Sequence, residues 1–488
     1  MRFRFKNCVP AAALVTCLVA AAPASAATFD VCENPGECDF TRIQAAVNGA
    51  GDGDTIEVEE GRYEETVRVR DEIEIRGAQD GADARNSRRG GESIVGAQNG
   101  GFVIDSDRVV ISGFTISGGG ASGGPSTFDA GVDVPSNRSG LRIVDNIITN
   151  NVLGLRLNST GARTVVRRNS FIANNNDGGE GEEQGNGIYT DGTVSNVLID
   201  RNDFTGHQNE AILLANAGGV GTGIDITGNE LIRDSGVVVV NARAVRVAEN
   251  TSDGNVDDDV IDDDVIEMGG NVDGANISAN TLRQYEGAGI VVSNDRLAGV
   301  NRNISIIGNT LLGERSVSSD RGVRLLGDTY DGRLQVNFNR IFANDFGIAN
   351  EDSDAGEQIN AENNWWGSNS RPGTPPSDSV VGNVDTGPRL TLRLISKRAV
   401  KRDGRQLKIS ASLQFNSGDG GTVQRFNPSP FPNRTTIEFD TSRGRIEKRS
   451  RTVSGVARAT LISPDSRGRA TVSISLDGET VRRKIRIR

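Results

Sequence analysis

Between residues 141 and 366, apolar residues alternate by two around an asparagine that returns about every 27 residues. The anchors are Asn146, Asn169, Asn202, Asn229, Asn250, Asn280, Asn309, Asn339 and Asn364. Three residues before them stand Ile143, Val166, Ile199, Ile226, Val247, Ile277, Ile306, Val336 and Ala361. Two residues after them stand Ile148, Phe171, Phe204, Leu231, Ser252, Leu282, Leu311, Ile341 and Trp366. A period of two marks a strand, because successive side chains leave opposite faces of the backbone. A second strand signature, glycine then apolar-x-apolar, falls between anchors, as at Gly131, Gly154, Gly236, Gly289 and Gly322. Each repeat thus supplies short strands separated by turns, with no room for a crossover helix. Such units bury their apolar face only by stacking on their neighbours, so the pattern predicts an all-β parallel β-helix, a solenoid. The anchors should stack as an inward amide ladder at a bend, since buried amides must find partners. Residues 40–51 should form a capping helix, with Ile43, Ala46, Val47 and Ala50 at helix spacing on one face.

Three segments carry a family resemblance. Ile43-Gln44-Ala45-Ala46-Val47, Gly53-Asp54-Thr55-Ile56-Glu57-Val58 and Gly61-Arg62-Tyr63 resemble the opening of the pectin-lyase-like superfamily. Asn363-Asn364-Trp365-Trp366-Gly367 resembles the terminal repeat of its secreted bacterial members. The resemblance implies a single-stranded right-handed parallel β-helix and a polysaccharide as ligand. It leaves activity open, because the superfamily includes lyases, epimerases, polygalacturonases, tailspikes and non-catalytic surface proteins.

Beyond a proline-bearing linker at 371–388, alternation returns without the asparagine repeat. Strands are expected at 390–395, 407–415, 435–439, 457–462, 470–476 and 481–487, the pattern of a small β-sandwich. Gly455-Val456-Ala457-Arg458-Ala459-Thr460-Leu461 and Gly468-Arg469-Ala470-Thr471-Val472 resemble bacterial Ig-like modules of the invasin type. The expected division is a signal peptide at 1–26, the β-helix at 27–388 and an Ig-like β-sandwich at 389–488.

Charge separates the same parts. The chain of 488 residues has net charge −11, but residues 389–488 carry 23 basic and 8 acidic side chains, net +15. The body is correspondingly acidic, which disfavours nucleic acid as its partner. The basic module could contact anionic surface polymers or simply dock on the acidic rod. Lysine is absent between residues 7 and 396, and His207 is the one histidine, so family mechanisms that use a lysine base are disfavoured.

The start reads as an export signal: Arg2, Arg4 and Lys6, an apolar run to Ala22, then Ala24-Ser25-Ala26. That run is too short for a membrane span, so a secreted bacterial protein is expected. Cys32 and Cys38 flank Pro35-Gly36 and read as a local disulfide, with an incomplete thiolate metal site as the alternative.

Loops joining anchors to glycine strands should emerge on one side as an acidic ridge. Asp257, Asp258, Asp259, Asp262, Asp263 and Asp264 form a run without a basic residue, suited to Ca²⁺ or to solvent. Stacking should bring His207 near Tyr189, Asp191 and Glu210, where Tyr189 or His207 could abstract a proton beside a uronate carboxylate while Asp191 and Glu210 bind substrate. Arg156 and Arg324 should point outward from strands and could assist a lyase. Gly206-His207-Gln208 breaks the Gly-His-Gly element of polygalacturonases. Two readings follow: a non-catalytic polysaccharide-binding or adhesive protein, or a Ca²⁺-dependent polyuronate lyase or epimerase.

Overall fold

The computed structural model describes residues 26–86, 88–97, 100–118, 130–175, 184–234, 236–254, 264–314, 320–326, 330–331, 334–351 and 358–488. Residues 1–25 of the expected signal peptide, the ridge residues 176–183 and Asp257, Asp258, Asp259, Asp262 and Asp263 lie outside them.

Three parallel sheets of 16, 11 and 12 strands run along the repeat region. One coil shows the plan: Arg142–Val144 joins the first sheet, Ile147–Thr149 the second and Leu153–Ser159 the third, before Thr164–Arg167 returns to the first. This is a parallel β-helix. In the first sheet Ile111, Ile143, Val166, Ile199, Ile226, Val247, Ile277, Ile306 and Val336 stand in register, all sealed from solvent. Phe171 stacks on Phe204 in the second sheet, centroids 4.9 Å apart, which is the strand spacing. Each such buried side chain contributes about 2 kcal/mol relative to exposure. The helix Ile43–Gly49 buries Ile43, Ala46 and Val47 against the first coil.

The nine anchors lie at the corner between the first and second sheets, and all are buried. Each Nδ2 donates to the Oδ1 of the next anchor at 2.9–3.2 Å. The same Oδ1 accepts the backbone N–H of the preceding anchor. The residue before every anchor has left-handed backbone: Asp145, Arg168, Arg201, Gly228, Glu249, Ala279, Gly308, Phe338 and Asn363, with φ of 53–69°. Only two of these are glycine, so the ladder holds a corner that most of its residues adopt at a cost of about 1–2 kcal/mol each.

The C-terminal module has two sheets. Leu390–Ser396, Gln406–Asn416 and Val456–Ile462 form one; Ala399–Val400, Glu479–Ile487, Gly468–Leu476, Thr436–Thr441 and Arg449–Arg451 form the other. Leu392, Ile409 and Leu461 from the first share one core with Phe439, Ile474 and Ile485 from the second. The two tryptophans at the end of the rod divide between the cores. Trp366 belongs to the rod and Trp365 to the sandwich, both fully buried. Trp365 Nε1 donates to Asp477 Oδ2 at 2.7 Å, and Arg340 pairs with the same carboxylate. Phe338 meets Phe426 edge-on at 4.9 Å, and Gly478 N–H donates to Gly367 at 3.0 Å. The ion pair at the joint is an arginine of the rod with an aspartate of the module, the reverse of the two parts' net charges.

Cys32 and Cys38 form a disulfide beside the cap. Among the described residues no helix is long and apolar enough to cross a membrane.

Candidate functional site on the outer face of the third sheet

Period-two alternation sends Val132, Leu155, Ile188, Ile212 and Val237 into the rod core. Their neighbours Asp133, Arg156, Tyr189, Leu213, Val238, Glu267, Val291 and Arg324 form one register line on the opposite face. Most of that line is nevertheless buried: Tyr189 is 6% exposed and Arg156 8%. Tyr189, Leu213 and Val238 cluster apart from the rod core with Ala130, Leu153 and Val240. An apolar stretch of the face is thus flanked by two ionic knots.

The first knot centres on Arg156. Its Nε and Nη2 reach Asp133 at 2.6 and 3.0 Å, a bidentate pair, and Nη1 lies 3.6 Å from Asp191. Asn158 Nδ2 donates to Asp191 at 2.8 Å, while its Oδ1 accepts from Thr190 Oγ1 and the Gly192 N–H. Burial pushes the Asp133 carboxyl up, and Arg156 opposes the shift. The second knot lies four strands along, about 19 Å at strand spacing. Arg296 bridges Glu210 (3.0 Å) and Glu267 (3.2 Å), Ser293 Oγ donates to Glu267 at 2.5 Å, and Glu210 also accepts the Gly236 N–H. Arg324 and Arg321 share Glu351 at 3.0 and 2.7 Å.

The expected site therefore divides. Arg156, Asp191 and Tyr189 come together. Glu210 belongs to the second knot and Arg324 to a third. His207 is elsewhere, and the expectation of a loop histidine beside Tyr189 is corrected. Its side chain is fully buried at the corner between the second and third sheets. There it continues a second polar ladder, Asn151–Asn174–His207–Asp234. Asn174 Oδ1 accepts from Asn151 and its Nδ2 donates to the Ile148 carbonyl, which fixes the amide. His207 Nε2 therefore accepts from Asn174 at 3.2 Å, and Nδ1–H donates to Asp234 at 2.6 Å. A ring with both nitrogens engaged inside the rod has none to offer a substrate. Of the proposed Ca²⁺ ligands, Asp264 is the described one, and it accepts the Ala288 N–H at 2.6 Å.

A signal for the second ladder was present in the chain. Asn151, Asn174, His207 and Asp234 each follow an anchor by five residues. Asp133, Glu267 and Arg296 carry no comparable mark. Asp133 and Glu267 occupy the outward x of apolar-x-apolar strands, where any residue type is allowed.

No family model and no curated protein matches the chain. Among solved structures, a tailspike protein from Acinetobacter baumannii bacteriophage Fri1, a capsular polysaccharide depolymerase, is similar at 9% identity and TM-score 0.29, covering 90% of this chain and 84% of that one. XylC in complex with xylose is similar at 10% identity and TM-score 0.33, covering 94% and 100%. The A-module of the Azotobacter vinelandii mannuronan C-5 epimerase is similar at 12% identity and TM-score 0.22, covering 72% and 94%. Likeness at these scores bears on no activity.

Proposed function

We propose that this is an exported polysaccharide-binding protein, in which the β-helix is a rigid rod and the sandwich, read as an Ig-like module, attaches to anionic surface polymers. The observation that carries the reading is the outer face of the five-stranded sheet. Arg469 stands directly opposite Arg486 across antiparallel strands, with Lys484 opposite Thr471 and Arg482 opposite Ser473. Arg469, Arg482, Lys484 and Arg486 are exposed, and Arg398 and Arg488 join Arg469, Lys484 and Arg486 around a shallow cleft of about 360 Å³. Like charges directly opposed destabilise a sheet. The acids on the same outer face, Asp440 and Glu438, are already held by Lys448 and Arg449. This cost is offset when a polyanion covers the face. Among the described residues the face presents no aromatic side chain on which bases could stack, which favours a glycan over single-stranded nucleic acid.

Binding rather than catalysis is supported by the ion pairing of Arg156, Arg324 and Glu210 and by the burial of His207. The test is retention on immobilised polygalacturonate and alginate across a salt series, for the full chain and for R469E/R486E. Salt-sensitive retention that falls at least tenfold in the variant is expected. Equal retention sinks the reading. Release of unsaturated uronates, followed by absorbance, would establish the lyase alternative instead.

A further inference from the structure

The docked module encloses a second surface. Along the outer face of the second sheet, Thr251, Thr281 and Thr310 stand in register on successive coils, about 4.8 Å apart. The segment 430–436 of the sandwich faces them. Two adjoining clefts of about 600 and 450 Å³ lie between, sharing Thr281, Asn433 and Arg434. They join into one groove whose floor is rod and whose wall is module.

The walls are held in place. Pro432 O accepts both Thr435 Oγ1 and Thr452 Oγ1, Arg434 N–H donates to Thr452, and Asn433 Oδ1 accepts the Ser454 N–H. On the rod side the approach requires Gly308. Its φ is +69°, and a Cβ there would stand 2.7 Å from the Pro430 carbonyl oxygen. The joint through Asp477, Trp365 and Phe338 fixes the module's orientation.

The groove's chemistry is specific. Arg283, Arg434 and Arg451 line it and are exposed, and none is in an ion pair among the described residues. Arg340, at the same end, is already held by Asp477. The one acid in the lining, Glu249, lies 3.8 Å from Arg246. Guanidinium groups without their own carboxylate match a planar carboxylate bidentately. The half-buried hydroxyls of Thr251 and Thr281 at strand spacing match a polyol, and exposed Pro430 offers apolar surface for the C–H face of a sugar ring. We propose that this inter-domain groove binds a short carboxylate-bearing oligosaccharide segment, as a second site distinct from the basic sheet face. The assignment rests on the polysaccharide reading for its ligand class but not on the basic face.

Titration calorimetry with tetra- to hexasaccharides of galacturonate and of mannuronate tests it, using the full chain, R283A/R434A and R469E/R486E. A binding event that persists in R469E/R486E and weakens at least tenfold in R283A/R434A is expected. The carboxyl-reduced oligosaccharide should bind at least tenfold more weakly than its parent. Loss only in R469E/R486E overturns the groove and leaves the basic face standing. Silence of the full chain, equal binding of the reduced sugar, or tighter binding of a poly-glutamate peptide also overturns it. Unchanged circular dichroism and melting of both variants guard against misfolding.

Discussion

Arg340 of the rod and Asp477 of the sandwich form a largely buried ion pair, Nε to Oδ2 3.1 Å, whose polarity opposes the net charges of the parts they join. The carboxylate is 3% exposed and also accepts the Trp365 indole at 2.7 Å. Removing it leaves a guanidinium and an indole N–H without their acceptor. Asp477→Ala should cost about 3 kcal/mol at the joint, because breaking a largely buried pair strands its partner. Chemical denaturation followed by Trp fluorescence should then show two transitions, the module leaving first. A single unshifted transition would contradict the joint's role.

Asn229 shows what the ladder is worth. Its Oδ1 accepts two N–H groups of Asn202, and its Nδ2 donates to Asn250 and to the Ile199 carbonyl. Asn229→Ala should cost about 4 kcal/mol, since it orphans several buried groups at about 1–3 kcal/mol each. Urea unfolding measures it. Arg201→Gly, at φ +53° on the same corner, should instead stabilise by about 1 kcal/mol.

His207 is read here as a rung. Asparagine occupies the same position in the two preceding coils, so His207→Asn should stay within about 1 kcal/mol of the parent in stability and should leave glycan binding unchanged. His207→Ala, which leaves Asp234 and Asn174 facing a void, should melt lower. A histidine acting on substrate would give the opposite pattern, with His207→Asn stable but inactive.

Asp203 supplies a pH dependence. Its carboxyl is pushed up to about 6 by burial, which Arg85 only partly offsets, and Glu230, in register on the next coil, adds a smaller repulsion. A folded-state value above the ordinary 3.8 means that ionisation disfavours the fold. The penalty is absent below about pH 4, grows from pH 4 to 6 and is complete above. Asp203→Asn should therefore raise the melting temperature at pH 7.5 and leave it near the parent's at pH 4. A pH-independent difference would refute the assignment.

The parallel β-helix, the inward asparagine ladder and the cap helix were legible in the chain, because each depends on side-chain period and on the need to pair buried amides. The module's strands were legible for the same reason. The left-handed residue before each anchor was not, since only two of those nine positions carry glycine. Loop stacking was extrapolated from the repeat, and there the reading failed for His207: offset five from its anchor put it in a ladder, not on a ridge.

The sequence by itself determined the repeat and therefore the rod, because a strand period that must bury one face has few solutions. It also determined that positive charge is concentrated in the last hundred residues. Only the tertiary structure decided which charges neutralise one another. Arg156, Arg296 and Arg324 found carboxylates on neighbouring coils, and Asp477 found Arg340 across 137 residues. Arg283, Arg434 and Arg451 were left lining a groove. Ion pairing depends on distances between side chains remote in sequence, and those distances exist only once coils stack and the module docks.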